Sequence, residues 1–291
     1  MLARVTRVRL LSFQVPYACR HSGACCSSGW IEPKPDGVCR HFDAHRNGGC
    51  TVHRARGHDA LPHACQQFPR VATLSPLGTS VTLSAYCPTA ASRLFESGPF
   101  AIESRDDARV YEGLDARVLL PPLLRDGLLM DWESVARWEE LAVGALSDQR
   151  GDVDAALELI EAASLAVCET WTPAAGALGE ALGEAFRARA AGMSAATPLK
   201  DRRRDRSLAR PQSGGAEDVP GACASSSAIA RFLASHAFAC WPLYDGQGIR
   251  GAIDWLVKTR TALDEERRSH DLLEAFRQSD LRLRHAVTSL A

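Results

Sequence analysis

No stretch of this 291-residue chain approaches the roughly 18 consecutive apolar residues of a membrane-spanning helix, so a membrane role is not expected. A convincing export leader is also missing. Arg4, Arg7 and Arg9 precede a short apolar run, but Gln14 and Pro16 break it and no small-x-small cleavage site follows. A cytoplasmic location is the expectation, and with it thiols that stay reduced. The paired C-x₂-C…C-x₂-C of a zinc ribbon is absent, as is a Cys-x₃-Cys-x₂-Cys radical motif. Signals for strands are few. Net charge is only −1, so no strong field of one sign covers the whole molecule.

That small sum hides an uneven spread. Residues 1–95 carry eleven Lys and Arg against four Asp and Glu, whereas the remainder carries 23 against 31. A basic half can be a surface for nucleic acid or an acidic partner. Here the cations lie scattered among cysteines and line no single helix. Fixed positive charge balancing metal-bound thiolates is therefore the preferred reading, and nucleic acid is not expected as a partner.

Ten cysteines are present, and seven of them (Cys19, Cys25, Cys26, Cys39, Cys50, Cys65 and Cys87) fall within residues 19–87. Six of the nine histidines, His21, His41, His45, His53, His58 and His63, share that window. Three explanations compete. A disulfide framework needs an oxidising compartment and an even count. Structural core cysteines, behaving as small hydrophobes, suit Cys168, Cys223 and Cys240 among their Ala, Leu and Phe neighbours. They do not suit Cys25, Cys26 or Cys50, which stand in loop-like Gly, Ser and Asn sequence. Metal binding suits those best, because thiolates with nearby imidazoles select zinc or iron–sulfur clusters.

Small residues between Cys19 and Cys25 let the backbone fold tightly, and adjacent Cys25 and Cys26 point in different directions. Gaps of ten, fourteen and twenty-one residues then separate Cys39, Cys50, Cys65 and Cys87. Ligands so dispersed suit a cluster where several segments meet, and Cys87-Pro88 resembles the Cys-Pro ending of ferredoxin runs. Among the histidines, His53 stands three residues after Cys50, and His41 and His63 each lie two from a cysteine. A hydrogen-bonding role is the default for each.

Cys19-Arg20-His21-Ser22-Gly23-Ala24-Cys25-Cys26 resembles the opening of the CxxCxxCC family of zinc- or iron-chelating domains, also known as the YkgJ-type cysteine cluster. Cys39-Arg40-His41-Phe42, Gly48-Gly49-Cys50-Thr51-Val52-His53, Cys65-Gln66-Gln67-Phe68-Pro69-Arg70 and Cys87-Pro88 follow in that family's order. The Cys-x-x-aromatic-Pro-Arg element, the late Cys-Pro and the helical C-terminal part look most like its flagellin lysine-N-methylase branch, to whose closing helix the segment from Phe276 to Asp280, with His285 beyond, is loosely similar. The resemblance implies an iron–sulfur cluster, 4Fe–4S in type, or zinc. For the methylase branch it implies S-adenosylmethionine as methyl donor and lysines of a protein such as flagellin as substrate. The family's second cysteine is Ser22 here, and a hydroxyl is a poor ligand for soft metals. The nearest glycine-rich segment, Gly176, Gly179 and Gly183, lies in a helical pattern and reads as a small-residue helix face. A non-enzymatic chelating or redox-sensing module, with the helices as a platform for a partner, is the alternative.

Beyond the cysteines, Asp131 and Asp152 are expected to cap helices. Further helices are expected over 174–193, 226–241, 249–263 and 265–290. Residues 71–74 and 80–85 read as one hairpin bringing Cys87 near Cys65. Residues 197–221, with three prolines and the run from Lys200 to Arg206, have the composition of a flexible, solvated linker. The expected fold is mainly α. A loop-rich cysteine-cluster metal domain with a small β-hairpin (1–95) packs against a helical region (96–196), followed by an Arg/Pro/Gly-rich linker (197–224) and a C-terminal helical region (225–291).

Overall fold

The computed structural model describes residues 6–27, 39–43, 49–148, 152–195 and 221–288. Helices dominate, with a small mixed sheet and two short hairpins beside them.

The chain opens on β1 (Thr6–Leu11). Short pieces follow: α1 (Ala24–Ser27), β2 (Phe42–Asp43), β3 (Gly49–Cys50), α2 (Thr51–Arg56) and α3 (His63–Gln67). Then come β4 (Arg70–Ser75) and β5 (Gly78–Leu83), the short α4 (Pro88–Ser92), β6 (Ile102–Asp107) and β7 (Gly113–Asp115). A second small hairpin, β8 (Leu123–Arg125) and β9 (Leu128–Leu129), leads into α5 (Trp132–Asp148), α6 (Val153–Thr170) and α7 (Leu178–Ala195). The chain ends on α8 (Gly221–Ala237), α9 (Ile249–Glu266) and α10 (Leu272–Thr288).

The expected hairpin is present as β4–β5, in the register Arg70↔Leu83 to Ser75↔Gly78. It does not stand alone. The sheet order is β6-β1-β5-β4-β7, with β1 parallel to β5 and antiparallel to β6. Strands on either side of residue 95 thus share one sheet. Gly78 makes the tight turn possible, with φ +128° and only 2.7 Å between a notional Cβ and the Arg7 carbonyl oxygen. Strand β1 shows why its sequence resembles a leader. Val8 and Leu10 point to a small core with Ala72, Val81 and Tyr111. Arg9, on the other face, reaches Glu139 of α5 at 2.6 Å and lies over the Phe238 ring. Polar Arg7 and Arg9 thus alternate with apolar Val8 and Leu10, which is the period of a strand.

The helical part follows the expected caps. Asp131 accepts from the Ser134 N–H at 2.7 Å, and Asp152 from the Ala155 N–H at 3.0 Å. Trp138, Phe232, Leu233 and Phe276 are fully buried in the main core, which Leu11 of β1 also enters. Cys168 and Cys240 lie in this core, as expected of small hydrophobes. The side chain of Cys223 and the linker residues 196–220 lie outside the described residues. Several boundaries differ from expectation: α7 begins at Leu178, four residues late, and α8 ends at Ala237, four residues early. Helix α8 begins at Gly221. The last helix begins at Leu272, because α9 runs on to Glu266 and Asp271 caps α10 by accepting from the Glu274 N–H at 2.8 Å.

One contact surface places the helices against the cysteine-bearing segments. A second core joins Ala24, Phe68, Leu83, Tyr86, Cys87 and Ala90, and Leu281 of α10 packs onto it. Beside it, the Ser84 hydroxyl donates to the buried Asp280 carboxylate, and Arg277 donates to the Tyr86 carbonyl at 3.1 Å. Among the described residues no helix is long and apolar enough to cross a membrane.

Candidate metal centre

The cysteines are drawn together first by backbone bonds. The Cys26 N–H donates to the Gly23 carbonyl at 2.8 Å, closing the turn in which α1 starts. The Cys39 N–H donates to the Cys26 carbonyl at 2.9 Å, and the Phe42 N–H to the Cys39 carbonyl at 2.9 Å. Phe42 in turn pairs with Cys50 across β2 and β3. Three cysteines from three segments are thus tied by a continuous run of main-chain contacts. Cys65 sits in α3, just before β4, and Cys87 lies four residues beyond the last position in the hairpin register, at Leu83. Cys87 is also the N-cap of α4, with Pro88 at its first position. Proline is favoured there because its missing N–H is not needed, so the Cys-Pro dipeptide has a local structural cause.

Five of the seven cysteines, Cys19, Cys25, Cys50, Cys65 and Cys87, line one cavity of about 320 Å³. Cys26 and Cys39 do not line it. Cys26 is buried, at 5% exposure, and interacts electrostatically with Cys25, Cys39 and Cys50. Cys65 is electrostatically linked to Cys25, Cys39 and Cys50 in the same way. Cys87, also buried, is 3.7 Å from the Tyr17 hydroxyl. Of the histidines, His21, His53 and His58 line the cavity, with 3.1 Å between the Nδ1 atoms of His21 and His53. His63 instead faces Glu112 at 2.8 Å. His41 is not among the lining residues, and His45 lies outside the described residues.

The electrostatics follow from proximity and burial. Cys26 hydrogen-bonds to Cys25 and so lowers the Cys25 thiol, while the same contact, with burial, raises Cys26. The vicinal pair thus favours one thiolate and one thiol. Burial, reinforced by the neighbouring thiols, pushes Cys65 up to about 11. Burial likewise raises Tyr17, and Cys87 adds to the rise. No disulfide joins any of the described cysteines.

The donor set fits a soft metal in its chemistry. Five thiols and three imidazoles share a cavity whose lining includes no Asp or Glu, and sulfur with nitrogen is what zinc and iron–sulfur clusters take. Among the described residues no three such donors already converge on one ion-sized point. Ser22 is also at the cavity wall.

Sequence reasoning missed three wall residues, Tyr17, Arg70 and Arg109. Arg70 closes the Cys-x-x-Phe-Pro-Arg element, which was a usable signal. Arg109 had none, because only the return of the sheet from β6 to β7 brings residues 108–112 beside α3. Comparison of the chain with protein-family models, curated proteins and solved structures returns no match.

Proposed function

We propose that this chain is a metal-binding cysteine-cluster protein that holds an iron–sulfur cluster or zinc through thiols chosen from Cys19, Cys25, Cys26, Cys39, Cys50, Cys65 and Cys87. The observation that carries this reading is the gathering of five of those cysteines, from separate stretches of chain, around one cavity without a carboxylate. A thiolate cluster needs its ligands deprotonated and shielded. The lowered Cys25 thiol favours the first, and the burial of Cys26 and Cys87 the second. The iron–sulfur form is preferred, because the donors are dispersed and mostly sulfur. A reducing compartment such as the cytoplasm suits thiols kept for metal.

The catalytic extension is lysine N-methylation of a protein such as flagellin, with S-adenosylmethionine as donor, and it rests on the sequence resemblance. Its requirement is a neutral amine aimed at a methyl group away from water. The glycine-rich segment offers nothing toward the donor: Gly179 and Gly183 lie on α7 and face Ser134 and Arg137 of α5. Without that extension the protein is a chelating or redox-sensing module with its helices as a partner platform.

Alkylation footprinting tests the metal reading. Iodoacetamide labelling followed by mass spectrometry, with and without added iron and sulfide or zinc, should show protection confined to cysteines of the 19–87 segment. Equal labelling in both states would reject it. Incubation with S-adenosylmethionine and flagellin separates the two functional forms, since a methyl mass gain on lysine marks the enzyme and its absence across several protein substrates marks the chelating module.

A further inference from the structure

Two guanidinium groups in the cavity wall supply no ligand in the reading above. Arg70 is the first residue of β4, is half-buried, and lies over the Tyr17 ring at 5.3 Å. Arg109 is carried by the loop between β6 and β7, and that loop is pinned in place. Its own N–H donates to Asp107 at 2.9 Å, Tyr111 is buried with its hydroxyl on Asp107 at 2.8 Å, and Gln67 of α3 donates to the Val110 carbonyl at 3.0 Å. Both guanidiniums face the same cavity.

Neither guanidinium has an ion pair or hydrogen bond among the described residues. The neighbouring carboxylates are engaged elsewhere, Asp107 with Tyr111 and with Arg105 at 3.6 Å, and Glu112 with His63. Asp107 attracts both guanidiniums through space but makes an ion pair or side-chain hydrogen bond with neither, meeting Arg109 only at its backbone N–H. Burial holds Arg70 below the ordinary guanidinium range, and the charge of Arg109 adds to that. Arg70 is thus partly desolvated beside a second like charge with no counter-charge in contact, and an anion between the two would relieve both effects.

We propose that Arg70 and Arg109 form the anion-recognition corner of the cysteine-lined cavity, which takes a small molecule by a carboxylate or phosphate group. Planar guanidinium forks match such oxyanions bidentately. A volume of about 320 Å³ admits a small molecule and no folded chain. The corner goes beyond the metal reading and does not require the thiols to be loaded.

Titration calorimetry of the full chain, with its metal content measured, tests the corner using inorganic phosphate and succinate at constant ionic strength. Saturable binding of one or both is expected, weakened about tenfold or more in Arg109→Gln, the effect of losing one charge-assisted hydrogen bond. The tighter of the two probes tells phosphate from carboxylate. Arg109 is exposed and loop-borne, so its variant should fold, and it decides the matter alone if Arg70→Gln does not. Absence of saturable heat from both anions, or equal affinity in Arg109→Gln, overturns the corner. Metal content is the separate readout. Loss of metal in Arg109→Gln, with no anion bound by the unaltered chain, also overturns it and assigns the arginines to balancing thiolate charge. Phosphate bound through Arg109 by a chain that takes up no metal upholds the corner and sinks the metal reading.

Discussion

Cys39 donates its backbone N–H to the Cys26 carbonyl across 2.9 Å. This bond joins two cysteines separated in sequence by twelve residues, neither of which lines the cavity that five others share. Because Cys26 directly follows the cavity-lining Cys25, the bond ties the Cys39 segment to the cavity wall.

The first prediction concerns the thiols themselves. Cys26→Ala and Cys65→Ala should each lower bound metal and thermal stability, whereas Cys168→Ala should keep the metal. Cys168 lies in the helical core with its thiol donating to the Leu124 carbonyl at 3.1 Å, so its loss is a packing matter of about 1–2 kcal/mol. Elemental analysis of the three variants checks this. Full metal in both Cys26→Ala and Cys65→Ala would show that the ligands lie elsewhere.

Metal uptake should weaken as pH falls. Burial raises Cys65 to about 11, and the contact with Cys25 raises Cys26, so both are protonated in the metal-free chain at neutral pH. A metal that takes them must displace those protons. Apparent affinity should then drop by about tenfold per pH unit for each proton displaced. Competition with a chelator between about pH 8 and 6 measures the slope, and a flat profile would mean that neither thiol ligates.

A buried network behind the site should make the fold acid-sensitive. Asp280 accepts from Ser84 and from Arg284 at 2.9 Å, and His236 Nε2 lies 3.2 Å from it. Burial lowers His236 below its ordinary value of 6.5. The unfolded chain therefore binds a proton there before the folded one does, and stability present above 6.5 is lost as pH falls toward the lowered value. For Asp280 burial alone would raise the carboxyl, but Arg284, His236 and Ser84 outweigh it and hold it well below 3.8. Its contribution is present above 3.8 and is lost as pH falls through the lowered value. Urea unfolding across pH should show both losses, and His236→Phe should remove the upper one. Asp280→Asn should cost about 3–5 kcal/mol by stranding Arg284.

A parallel test lies on the sheet. Glu139 is buried, receives Arg9 at 2.6 Å and accepts from the Ala239 N–H at 2.9 Å. Arg9→Met should cost about 3–5 kcal/mol, because it leaves a buried carboxylate without its cation. Glu139→Gln in the same background should recover part of that loss. A loss below about 1 kcal/mol for Arg9→Met would place the pair among weak surface bridges.

The elements legible in sequence were those set by local rules. Asp131 and Asp152 announced their helices because a short carboxylate satisfies the first free N–H groups, and the 70–83 hairpin announced itself by β-branched residues around a turn. Strand β1 is easily missed because Arg4, Arg7 and Arg9 before an apolar run read as a leader, although Arg7 to Leu10 alternates; the partner that fixes Arg9, Glu139, is 130 residues away. The start of α10 was misjudged because Glu265 and Glu266 look like a first turn, when they close α9 and Glu265 pairs back with Arg282 at 2.6 Å. At the site, the cysteines stood out by density, and their common cavity follows from backbone pairing that no spacing rule reveals. Arg109 was invisible because only the sheet brings it there.

The central claim is that the thiols of residues 19–87 hold a metal. Anaerobic purification followed by iron, sulfide and zinc analysis and an absorbance spectrum tests it most directly. The account predicts stoichiometric metal, with a brown protein and a broad visible band if the centre is iron–sulfur, or a colourless protein with one equivalent of zinc. A colourless chain with neither iron nor zinc, and none taken up on reconstitution, would contradict it.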